Sequence, residues 1–144
     1  APHALQENEF RVSISDIRDG IATNLATISG LRTSAELPDN PSPPIAVVQL
    51  NNVQYDQAFQ GGMVIYTFTI TVIVGRVSER TAQTRLNAYA STGAGGVKAA
   101  LQSDKTLSGS AYDVRLQEMT NIGAITLGEQ QYLAAEFSAI VYAD

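Results

Sequence analysis

The stretch Met63 to Val74, MVIYTFTITVIV, constrains this chain more than any other. Val64, Tyr66, Phe68, Ile70, Val72 and Val74 share one face; Thr67, Thr69 and Thr71 share the other, with Ile65 and Ile73 at its two ends. This is period-two alternation in β-branched and aromatic residues, the types that pack well on a pleated surface. At about 3.3 Å per residue the strand reaches roughly 40 Å, beyond the usual strand length. The apolar face needs a covering layer. The threonine face carries no group suited to acid–base or nucleophilic chemistry.

The covering layer is legible on either side. Ile14, Ile17, Ile21, Leu25 and Ile28 recur in steps of three and four, which predicts an amphipathic helix over Ser13–Ile28. Ser13 or Ser15 can cap it, Asp16 suits its first turn, and Gly30 suits its stop. Gly20 inside it either lets the helix approach the sheet closely or is tolerated without a role. A second helix is predicted from Glu79 to Ser91, with Ser78 as N-cap and Ala82, Leu86, Tyr89 and Ala90 as its buried stripe. A short third helix spans Val97–Gln102, after the flexible break Gly93–Gly96.

The remaining segments read as strands and loops. Residues 1–12 are expected to form a flexible arm. Leu31–Pro44 contains PDNPSPP and reads as a turn-rich linker. Ile45–Leu50 is a short apolar strand, and Val53–Gly62 a long loop on which Tyr55 and Phe59 are candidate contact residues. Tyr112–Leu127 and Gln131–Tyr142 form a closing hairpin around Gly128-Glu129, with a bulge expected between Met119 and Gly123, where the alternation changes phase. The expectation is a single domain over 1–144, of α+β class: a mostly antiparallel four-stranded sheet with helices packed on one face.

Composition narrows the chemistry. There is no cysteine, so no disulfide framework and no thiolate metal site. The one histidine, His3, leaves no Ser-His-Asp set and few zinc arrangements. The glycine run lacks the Gly-Lys-Ser/Thr ending and the G-x-G-x-x-G spacing of phosphate-binding loops. Asp16 with Asp19, Asp113 with Glu118, and Glu129 with Glu136 are the carboxylate pairs to consider for acid–base work, which needs a shared, partly dry site. Their placement on a helix face, strands and a turn reads as ordinary surface patterning. No enzyme activity, cofactor or metal is expected. A net charge of −5 disfavours binding to nucleic acid or an anionic membrane, and no apolar run is long enough for a membrane helix.

The ordered set of strings carries a resemblance. ISDIRDGIATNLATISGLR (Ile14 to Arg32), the proline loop before IAVVQL, YTFTITVIVGRVSERTAQTRLNAY (Tyr66 to Tyr89), GVKAAL (Gly96 to Leu101), DVRLQEM and QYLAAEFSAIVYA together resemble the tail terminators of long-tailed, siphovirus-type phages, most of all actinobacteriophage forms. The likeness spans nearly the whole chain, and none of its strings is a catalytic signature. It implies a homo-hexameric ring in the virion, assembled in the host cytoplasm at the head-proximal end of the tail. Such a ring stops polymerisation of the tail tube protein and receives the head-completion or connector protein. Genome DNA passes through its lumen without specific binding.

A ring of this kind needs two different complementary patches per subunit. Ile65, Thr67, Thr69, Thr71 and Ile73 are the residues expected to face a neighbour or the lumen. Arg76, Arg80 and Arg85 are expected to meet carboxylates across a subunit boundary. Competing readings are a connector adaptor or tail tube subunit, a small-molecule or carbohydrate-binding module, and an enzyme.

Overall fold

A computed structural model describes residues 13–36, 42–55 and 63–143. The expected arm over 1–12, and most of the loop ending at Gly62, lie outside the described residues. The fold is α+β, in the order α1 (Ile14–Leu25), β1 (Arg32–Ser34), β2 (Ile45–Gln54), β3 (Val64–Arg76), α2 (Arg80–Ala90), α3 (Val97–Leu101), β4 (Asp113–Leu127) and β5 (Gln130–Ala143). The sheet has five strands, not four, in the order β1-β2-β3-β5-β4. The additional strand, β1, lies in the segment expected to be linker. It pairs parallel to β2 through Arg32↔Ile45 and Ser34↔Val47, and all other pairings are antiparallel. Three residues are too few to show a period, which is why β1 escapes a sequence reading.

β3 is the long strand expected from its alternation. It pairs with β2 from Ile73 to Ile65 and with β5 from Val64 to Arg76. Its apolar side, Tyr66, Phe68, Ile70, Val72 and Val74, joins Ala135, Phe137, Ala139 and Val141 of β5 in the main core. The helices lie on that side: Ile17, Ile21 and Leu25 of α1, Ala82, Leu86 and Tyr89 of α2, and Val97 and Leu101 of α3 complete the same cluster. Burial raises the pKa of the Tyr89 hydroxyl, against the opposing charge of Arg85. Ala90, expected in the α2 stripe, is exposed, and Glu79 rather than Ser78 occupies the α2 N-cap position. β2 runs on to Gln54 through a bulge between Leu50 and Asn52, so the expected loop begins two residues later than Val53.

α1 is capped as expected, its Asp16 N–H donating to Ser13 Oγ at 3.0 Å. What pins it to the rest of the helical layer is Asn24, 5% exposed. Its Nδ2 donates to the carbonyl of Leu101 at 2.8 Å and to that of Asp104 at 2.9 Å. The loop that follows is shaped by the Asp104 carboxylate, which accepts from the Thr106 hydroxyl at 2.9 Å and from the Ser108 N–H at 2.9 Å. These bonds hold Leu107 and Ser108 at φ of 51° and 59°, left-handed values that non-glycine residues seldom adopt. The reward is that Leu107, 1% exposed, drops onto α1 at Gly20. The close approach that Gly20 permits is therefore to this loop and not to the sheet.

Two predictions follow from this corner. A Cβ at Gly20 would lie 2.6 Å from Leu107 Cβ and 3.2 Å from its carbonyl oxygen. The overlap outweighs the roughly 1 kcal/mol that alanine gains in a helix interior. Gly20→Ala is expected to lower stability by about 1–2 kcal/mol in urea denaturation, whereas Gly93→Ala, with open space around it, changes it by less than about 0.5 kcal/mol. The second concerns acid. The backbone hydrogen bond from Ser108, with those from Thr106, holds the Asp104 carboxyl below its ordinary 3.8. A depressed carboxylate contributes stability that is present above its unfolded-chain pKa and lost as pH falls through the folded one. Asp104→Asn should therefore remove part of the drop in thermal midpoint below about pH 4 while leaving the curve above pH 5 parallel to that of the parent chain.

Candidate functional site

The face of the sheet away from the helices is built from alternate residues of four strands. Register places them in rows: Val47–Thr71–Glu136–Thr120, Gln49–Thr69–Ser138–Glu118 and Asn52–Thr67–Ile140–Arg115. Ile65, Thr67, Thr69 and Thr71 lie here as expected, all half-buried. Ile73 does not belong with them. It is fully buried in a second, small cluster with Ile45, Tyr132 and Ala134, against which Ile125 and Leu127 pack. The far end of the β4–β5 hairpin makes this cluster by laying apolar side chains over that end of the face. Ile73 is therefore part of the chain's own core and not of an available surface.

The other expected contact residues separate. Tyr55 follows the end of β2 and is 68% exposed, at the same end of the sheet as Ile65. Phe59 lies outside the described residues. Arg76 is exposed at the end of β3, opposite Tyr132, and Arg80 is exposed at the first position of α2. Arg85 is used internally: its Nη1 donates to the Val74 carbonyl at 2.9 Å. Val74 is the residue skipped by the register shift between Ile73 and Gly75, and it has no partner in β2 or β5. Arg85 thus spends one of its donors on a carbonyl at the bulge, within the chain.

The carboxylate pairs are not assembled into a common site. Asp113 opposes Tyr142 while Glu118 opposes Ser138, four register positions away, and Asp113 forms an ion pair with Arg115 at 2.9 Å. Glu129 sits in the hairpin turn, while Glu136 lies in mid-strand. Asp16 and Asp19 are both exposed on α1. Among the described residues no group of three or more His, Cys, Asp or Glu is placed to hold a metal ion, and no helix is long and apolar enough to cross a membrane.

One concavity on the outer face went unread in the sequence. Thr71, Ile125, Leu127 and Ala134 line a groove of about 270 Å³, with Glu136 and Asn121 at its edge. Asn121 has φ of 51° and lies where the β4 register jumps from Thr120 to Gly123. Its Nδ2 donates to Glu136 Oε2 at 2.9 Å. The expected bulge is what turns this side chain onto the groove. The phase shift in sequence gives the bulge, but not the side chain it would aim.

No protein-family model matches the chain, and no curated protein matches it.

The two kinds of outer-face position predict different responses. Ile73→Ala, which empties part of the small cluster, is expected to destabilise the chain by about 2–4 kcal/mol. Thr69→Val keeps the branched Cβ on a half-buried row and should stay within about 0.5 kcal/mol. Urea denaturation of both variants checks the division between core and available surface.

Proposed function

We propose that this chain is a structural virion subunit, a tail terminator that closes into a ring and caps the tail tube of a long-tailed phage. The observation that carries the proposal is the sheet face that no described helix covers. A long central strand presents Thr67, Thr69 and Thr71 there, flanked by Gln49, Asn52 and Ser138 on its neighbours. The threonines and Ser138 are half-buried, Gln49 and Asn52 are exposed, and Glu136 stands opposite Thr71; such a mixed polar face suits protein contact better than catalysis. The ordered strings that resemble tail terminators give this surface its context.

In this reading the ring stops tube polymerisation on one side and receives the head-completion protein on the other. Arg76 and Arg80, exposed and without a carboxylate partner among the described residues, are left for such an axial partner. The net charge of −5 suits a lumen that lets DNA pass without gripping phosphate. Ring assembly in the host cytoplasm and residence at the head-proximal end of the tail follow from the same proposal.

The test is negative-stain electron microscopy of the purified protein mixed with tail tubes. Rings seated at one end of each tube are the expected result. Unlimited filaments of the protein alone would instead point to a tube subunit, and the absence of end-binding to a connector adaptor.

A further inference from the structure

The five-stranded sheet is open, with β1 at one edge and β4 at the other. β1 runs with β2 and β5, while β4 runs with β3, so the two edges are antiparallel to each other. They also carry complementary chemistry at nearly the same height. Following the register across the sheet, Arg32 opposes Ile45, Ile45 opposes Ile73, Ile73 opposes Ala134, and Ala134 opposes Gly123 of β4. Arg32 is exposed at one end of this row. At the other end lies the groove with its apolar floor of Ile125, Leu127 and Ala134. Glu136 stands one row away, two residues along β5.

Among the described residues neither charge is answered. Among the described residues the one ion pair is Arg115–Asp113, so Arg32 meets no carboxylate and Glu136 meets no cation. Asn121 occupies one Glu136 oxygen and leaves the other open to a donor. The strands between Arg32 and the groove keep them apart within one subunit. A guanidinium on an aliphatic stem matches an apolar floor edged by a half-buried carboxylate, because the stem covers the floor while the planar head meets the oxygens.

We infer that the occupant of this groove is Arg32 of a second copy, brought there when the β1 edge of one subunit lies antiparallel along the β4 edge of the next. The contact is heterologous, the type that builds rings when its rotation closes. Sheet edges offer backbone groups for such pairing. The bulge at Asn121 then has a function: it interrupts the regular part of a long edge and shapes the receptor for one arginine. This rests on the ring reading above and names the residues of its seam.

The chain contains no cysteine, which makes a direct test possible. An equimolar mixture of the Arg32→Cys and Glu136→Cys variants, treated with a short bis-maleimide, should give a linked heterodimer; each variant alone should give none. In sedimentation, Arg32→Glu and Glu136→Arg should each weaken self-association by about tenfold or more, and the double swap should recover to within about threefold of the parent chain. Circular dichroism confirms that each variant is folded. If rings form on tube ends yet the mixed pair does not link, the seam is wrong and the ring reading stands. If the parent chain forms no ring on tubes or alone, both fall.

Discussion

Hydrogen bonding of β3 along both of its edges is the constraint on which the rest of this structure depends. With β2 on one side and β5 on the other, the strand cannot slip by one residue without turning Phe68 and Ile70 outward and Thr67 and Thr69 into the core. Everything else follows from that fixed pleat. The helices must lie on the apolar side, and no described helix covers the threonine side.

Three of the four departures from regularity among the described strands have a particular side chain bonded at or beside them. Arg85 takes up the carbonyl of Val74, which the bulge at the end of β3 excludes from both ladders. Gln102 accepts from the Leu116 N–H at 3.1 Å, at the first irregularity of β4, while Lys98 holds the same amide oxygen at 2.8 Å. Asn121 at the second irregularity bonds Glu136. Buried or half-buried polar groups that lose a ladder partner need another, since an unmade hydrogen bond carries the full desolvation penalty. At Val74 and Leu116 the bonded side chain takes up a backbone group next to the irregularity, and at Asn121 the irregular residue's own side chain ties β4 to β5.

The alternation of Val64 to Val74, the α1 stripe and the phase change near Met119 were readable because each is a local period imposed by one burial face. The Ser13 cap was readable for the same local reason. β1 was not, being a three-residue edge whose pairing is decided by β2. Neither the internal use of Arg85 nor the burial of Ile73 could be read, because both depend on register: one on a carbonyl freed by a bulge, the other on a hairpin folding over the face. Nothing local marks Asn24, whose two acceptors lie 77 and 80 residues further along the chain. Sequence periodicity reports which face is buried, and says little about what a polar residue meets there.

The insertion of β5 between β3 and β4 has a temporal meaning. It follows β4 in sequence, yet it lies inside the sheet, between β3 and β4. Pairing it with β3 closes a long loop through both later helices, a non-local contact of the kind that slows folding. During synthesis the chain carries β3 and β4 before the strand that joins them exists. A truncated chain therefore lacks not a peripheral element but the bridge between the two halves of the outer face. Chains cut short before β5 lack Glu136 and the groove beside it, and with them the receiving side of the proposed seam.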